Sequence, residues 1–205
     1  MSVAGPVRLA TILGALALAT ALAFTARSMR PRAPLPLLGH VPVFQLVDER
    51  GDRFTTESLL GHVSVVDFIF THCTSSCPRL TARMAELQES VRRDPIGVRL
   101  VSFSVDPEND TPATLAAYAA KAGADPARWT FVTGPVEDIE RAVELGFKVS
   151  AAKVAKGASD YDVIHGEWFV LVDPSGDIRG YYPTSEAREF QALLDDVKRL
   201  EREGR

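Results

Sequence analysis

The sequence predicts an α/β domain, a central mixed sheet flanked by helices, behind an N-terminal apolar segment. Strand-like and helix-like periods alternate along the chain as βαβαβα and then ββα. Two runs, VSVVDFIF over 63–70 and VRLVSFSV over 98–105, are almost continuously apolar and β-branched, the mark of strands buried on both faces. Each is followed by a helical period, and parallel strands need crossover helices, so helices are expected on both faces of the sheet.

Four segments follow from the chain's order. Residues 1–8 are a short N-terminal stretch. Residues 9–26, LATILGALALATALAFTA, carry no charge, and at 1.5 Å per residue they reach about 27 Å, close to the depth of a bilayer core. With no polar face, this is a transmembrane anchor or an export signal rather than a core helix. The small residues at 21–23 resemble a cleavage site, but the apolar run continues past them, which favours a retained anchor. Arg27, Arg30 and Arg32 follow the run and only Arg8 precedes it, a charge balance that by itself places the following domain on the cytoplasmic side. Residues 27–40 contain Pro31, Pro34 and Pro36 and read as an extended linker. Residues 41–205 are the folded domain.

Within that domain, VFQLVDERGDRFTT reads as two short strands around a Glu-Arg-Gly turn. After the first buried strand, Pro78 suits the first position of a helix whose apolar face is Leu80, Met84, Leu87 and Val91. Following the second strand, Thr111 is the expected N-cap, Pro112 the first helical residue and Gly123 the stop. WTFVTG is a third strand and PVEDIERAVELGF a helix. EWFVLVDPSGDIRGYY is a hairpin around Asp-Pro-Ser-Gly, and SEAREFQALLDDVKRLERE a closing amphipathic helix. Residues 147–163 fit neither period and form a long loop ahead of the hairpin, a place where function is common.

At 205 residues and 22.3 kDa the chain needs no disulfide to fold. A net charge of −4 and a pI near 5.6, with no cluster of Lys and Arg, argue against a nucleic-acid surface. Two cysteines are too few for a disulfide scaffold, so their role is chemical.

Those two, Cys73 and Cys77, lie where a buried strand runs into a helix. Unpaired N–H groups at a helix N-terminus favour thiolate, so both sulfurs are expected to be more reactive than an ordinary cysteine. As a staple the pair is poor, since closing so short a loop stabilises by only about 2 kcal/mol. Redox exchange and metal binding remain. Thioredoxin-like redox pairs usually have two residues between the cysteines; here there are three, which lets two thiolates splay around a metal. Two soft sulfurs suit copper(I), with imidazole as a natural third ligand. His40 and His62 read as solvated turn residues. His72 is adjacent to Cys73, but neighbouring side chains in extended chain point opposite ways. His165, where the irregular loop returns toward the sheet, is the preferred third ligand.

The blocks DFIFTHCTSSCPRLTARM, SFSVDPENDTPATLAAYA and HGEWFVLVDPSGDIRGYY, in this order and together with the anchor, resemble the signature of the Sco/SenC family over roughly residues 38–203. The resemblance implies a thioredoxin-like fold and a single-pass anchor in the inner membrane, with the globular domain facing the periplasm. It implies one copper ion bound through Cys73, Cys77 and His165. It also implies delivery of copper to, or reduction of, the binuclear copper site of cytochrome c oxidase. The expected partners are the oxidase copper-site subunit and a copper donor or thiol reductant protein. The same Cys73 and Cys77, as a redox pair forming a disulfide, would serve the alternative, a membrane-anchored thiol-disulfide oxidoreductase. Two departures stand out: Thr74-Ser75-Ser76 between the cysteines where many members have Pro-Asp-Val, and Ile164 where many have Asp before the histidine. The latter removes a partner that would orient the imidazole, and Asp162 is the nearest substitute.

Two other constellations fail. Asp106, Glu108 and Asp110 alternate as in a calcium loop, but Thr111 stands where glycine is needed and Ala117 where a bidentate Glu is needed. Met84 could offer a soft sulfur, yet its spacing with Leu80 and Leu87 assigns it to the core.

Overall fold

The computed structural model describes residues 33–74, 77–92, 97–147 and 168–204. The apolar segment 9–26 and the first part of the linker lie outside the described residues. Among the described residues no helix is long and apolar enough to cross a membrane.

Residues Leu35–Arg205 form one compact unit around an eight-stranded sheet. In chain order the elements are β1 (Gly39–His40), β2 (Gln45–Asp48), β3 (Arg53–Thr55), β4 (Ser64–Ile69), α1 (Cys77–Val91), β5 (Arg99–Ser104), α2 (Pro112–Ala122), β6 (Trp129–Thr133), α3 (Val136–Glu140), β7 (Trp168–Val172), β8 (Asp177–Pro183) and α4 (Ala187–Glu203). Across the sheet the strands run β1-β8-β7-β4-β5-β6-β2-β3. β4, β5 and β6 are parallel and the remaining pairs antiparallel. This is the predicted mixed sheet, with βαβαβα followed by ββα.

The physical signals behind the elements hold in detail. All six residues of β4 are buried, as a central strand covered on both faces requires. Thr111 caps α2 by accepting from the Thr114 N–H at 3.2 Å, Pro112 follows it, and Gly123 closes the helix at φ 70°, a left-handed conformation that favours glycine. Replacing the cap by Thr111→Ala is expected to lower stability by about 1 kcal/mol; urea unfolding measures this, and no change would mean the hydroxyl contributes nothing.

Side-chain alternation sorts the two faces. Right-handed crossovers place α1 and α2 together, over the row Asp67, Ser102 and Phe131 that register brings side by side. The neighbouring row, Phe68 beside Phe103, looks the other way and meets Phe147, with ring centroids at 5.4 and 5.3 Å. Phe44 and Phe54 stack near the same Phe103.

Two differences from expectation have physical causes. The third predicted helix of the domain is α-helical only to Glu140 and continues as a π-helical turn over Arg141–Gly146, in which the Phe147 N–H donates to Ala142 O at 2.9 Å. The wider turn brings Phe147 onto the sheet, and a Cβ at Gly146 would lie 1.9 Å from Pro42 Cγ, so that close approach needs glycine. At the N-terminal side, the end of the proline-bearing stretch is not free chain. Gly39 and His40 pair with Ile178 and Asp177, and the Arg179 guanidinium donates to Leu35 O at 2.5 Å and Pro36 O at 3.0 Å while also bonding Asp173. Proline excludes helix but leaves carbonyls as acceptors, and one arginine from the far end of the chain ties residues 35–40 to the sheet.

Candidate metal centre

The chain leaves β4 at Ile69 and turns sharply: the Cys73 N–H donates to Phe70 O at 3.2 Å. α1 then begins at Cys77, whose backbone N–H donates to Cys73 Sγ at 3.2 Å. The first sulfur therefore sits on the free N–H end of the helix, as the spacing implies. No disulfide joins Cys73 and Cys77 in this structure.

Their environments differ, and here the expectation of two activated sulfurs is corrected. Cys73 is half-buried and lines a groove of about 340 Å³ between α1 and α2, with Pro78, Ala82, Ala85, Tyr118 and Lys121. Cys77 is fully buried, and burial, reinforced by Cys73, pushes its thiol well above the ordinary cysteine range. Removal of water from Cys77 outweighs the helix N-terminus, because a thiolate without a counter-charge is costly in an apolar site.

Beneath the cysteines lies a carboxyl that the apolar pattern of β4 concealed. Asp67 is fully buried, neither of its oxygens has a hydrogen-bond partner of good geometry, and burial pushes its pKa up to about 7, opposed only in part by Ser102 and its own backbone. The signal was present as a single carboxylate inside a run of Val, Phe and Ile. The groove floor is closed by a hydrogen bond of 2.7 Å between Thr81 of α1 and Tyr118 of α2.

The acidic stretch before α2 is likewise no cation loop. Asp106 accepts from Asn109 Nδ2, whereas Asp110 turns inward and is fully buried. Its carboxylate accepts from the Thr71 N–H at 3.0 Å, the Thr71 hydroxyl at 2.5 Å and the Ser104 hydroxyl at 2.6 Å.

Of the four histidines, three are described. His40 pairs with Asp177 across the β1–β8 edge, and burial followed by Arg99 lowers the pKa of His62. His72 is exposed, with its Nδ1 3.3 Å from the Thr71 hydroxyl. The preferred ligand His165, with Ile164, Asp162 and most of the 147–163 loop, lies outside the described residues. Among the described residues no group of three His, Cys, Asp or Glu side chains could hold a metal, so the structure brings together the two sulfurs and nothing further of the expected triad. Two sulfurs in this arrangement can lose two protons and two electrons to become a disulfide, or give up their protons to a soft cation.

Residues 38–201 match the SCO1/SenC family. A SCO1 protein homolog of Bacillus subtilis is 38% identical over 164 residues, which span 80% of this chain and 83% of that protein. The structure of BsSco, described as a member of the Sco family of cytochrome c oxidase assembly proteins with a disulfide switch, is similar at a TM-score of 0.71 and 36% identity, over 83% of this chain and 98% of that one. Copper-bound ScoI of Bradyrhizobium japonicum is similar at a TM-score of 0.67 and 29% identity, over 79% and 99% of the two chains. The mixed sheet with its flanking helices is thus the thioredoxin-like architecture of Sco structures.

Proposed function

The chain belongs to the SCO1/SenC family, and from that premise we propose that it is a copper-binding metallochaperone that helps assemble the binuclear copper site of cytochrome c oxidase. Copper is its cargo, one ion per chain, held by Cys73, Cys77 and His165. The observation that carries this reading is the sulfur pair itself: Cys73 lines the groove and its Sγ accepts from the Cys77 N–H at the start of α1. Two soft donors on one turn suit copper(I), and cation binding there supplies the positive charge that a Cys77 thiolate lacks. Copper bound to the Bradyrhizobium relative supports the same assignment. The 9–26 segment anchors the domain in the inner membrane, with the domain on the periplasmic side, where it meets the oxidase copper-site subunit and a copper donor or thiol reductant protein.

A second reading is favoured by the asymmetry of the sulfurs. An accessible Cys73 above a buried Cys77 suits a thiol-disulfide oxidoreductase, and BsSco has a disulfide switch. His165 discriminates the two. His165→Ala is expected to weaken copper(I) binding by at least about tenfold and to leave Cys73–Cys77 disulfide formation nearly intact. Anaerobic competition titration against a copper(I) chelator, with thiol counting after mild oxidation, reads both quantities; equal loss of both removes His165 from the ligand set.

A further inference from the structure

We propose that Asp110 is a positioning residue that sets the Cys73 turn, and through it the presentation of Cys73 Sγ to its ligand. The proposal rests on the metal-site reading above. Asp110 does not line the groove; it acts through hydrogen bonds. Its carboxylate gathers three neutral donors from two separate segments: the Thr71 N–H and hydroxyl, 39 positions earlier, and the Ser104 hydroxyl, 6 positions earlier. Ser104 ends β5 beside Ile69, the end of β4, and its hydroxyl also accepts from the Asp106 N–H at 3.1 Å. Thr71 follows Phe70, whose carbonyl accepts from the Cys73 N–H, and Cys73 Sγ in turn accepts from the Cys77 N–H. A rigid strand end, a buried carboxylate, a turn and a sulfur are thus linked bond by bond. Asp110 immediately precedes the cap of α2, so the same residue joins that helix start to the cysteine turn.

Burying a carboxylate is costly unless its lone pairs are filled, and here two donors come from Thr71 and the third from Ser104 at the end of β5, so the carboxylate ties Thr71 to the strand end. A residue serving the core alone would be replaced by an apolar one without consequence for the sulfurs. Asp110→Asn can keep its oxygen on the Thr71 N–H and turn its amide toward the Thr71 hydroxyl, which is able to accept. Asp110→Ala removes the buried acceptor of all three donors and leaves the Thr71 hydroxyl only the exposed His72 Nδ1 at 3.3 Å.

The test measures copper(I) affinity of the reduced, full-length protein in detergent by anaerobic chelator competition. Asp110→Ala is expected to bind about tenfold or more weakly when folded, and Asp110→Asn to stay within about threefold of wild type. Gln88→Ala is the control: Gln88 bonds Gly123 O and the Asp125 N–H at the far end of α2, so its loss lowers the melting temperature without changing copper affinity. A second readout is the metal-free equilibrium with dithiothreitol, in which Cys73 and Cys77 lose two protons and two electrons as oxidised dithiothreitol gains them. Asp110→Ala is expected to shift that equilibrium constant about tenfold, about 30 mV for a two-electron couple. Should Asp110→Ala not fold, Ser104→Ala, which removes one donor and keeps the carboxylate, carries the same test at about threefold. If wild type binds no copper(I), the metal reading fails and the dithiol equilibrium alone decides the role of Asp110. Wild-type values in both readouts for Asp110→Ala, or equal losses in Gln88→Ala, overturn the proposal.

Discussion

Cys77→Ala is expected to weaken copper(I) binding by at least about a thousandfold, roughly 4 kcal/mol, while the domain remains folded. The sulfur is fully buried at the first turn of α1, so its loss removes one of two soft donors that the described residues bring together. Alanine leaves only a small void there, whereas serine would bury a hydroxyl without an assured partner. Chelator competition on reduced protein gives the affinity, and circular dichroism confirms the fold. Binding within tenfold of wild type would show that the metal sits elsewhere and would leave Cys77 as a redox partner of Cys73.

The second large effect concerns pH. Asp67 has its pKa raised from 3.8 to about 7 by burial. The native state therefore holds a proton that the unfolded chain releases near pH 4. Stability from this group is complete below pH 4 and is lost as pH rises from about 4 to about 7, at roughly 1.4 kcal/mol per unit and no more than about 4 kcal/mol in all. Asp67→Asn mimics the protonated carboxyl at every pH. It is expected to abolish that part of the pH dependence and to raise the unfolding free energy of the reduced, metal-free protein at pH 8 by about 1–3 kcal/mol. Urea unfolding of wild type and variant at pH 5, 6, 7 and 8 isolates the difference. A constant difference across the series would mean that Asp67 does not titrate in this range.

Much of the fold was legible because its signals are local. The β4 and β5 runs are apolar without alternation, Thr111 and Gly123 cap α2 by their own side-chain and backbone chemistry, and the Asp-Pro-Ser-Gly stretch turns β7 into β8. The strap on residues 35–40 was not legible, since Arg179 lies more than a hundred positions from the carbonyls it binds. The π-helical turn also escaped, because its cause is the packing of Phe147 on Phe68 and Phe103 and the approach of Pro42 to Gly146.

For the candidate site the division is similar. The spacing of Cys73 and Cys77, with Pro78 behind them, was enough to place both sulfurs at a helix start and to suggest soft-metal or dithiol chemistry. Nothing in the spacing says that one cysteine lines a groove and the other is sealed, that Asp67 lies buried and unpartnered beneath them, or that Asp110 turns inward to hold Thr71. Periodicity, caps and ligand type depend on neighbours in the chain and can be read there. Burial and hydrogen-bond partners depend on which distant strands and helices close over a group, and only the assembled sheet, with α1 and α2 across it, sets the local dielectric that makes Cys77 reluctant to ionise and Asp67 reluctant to lose its proton.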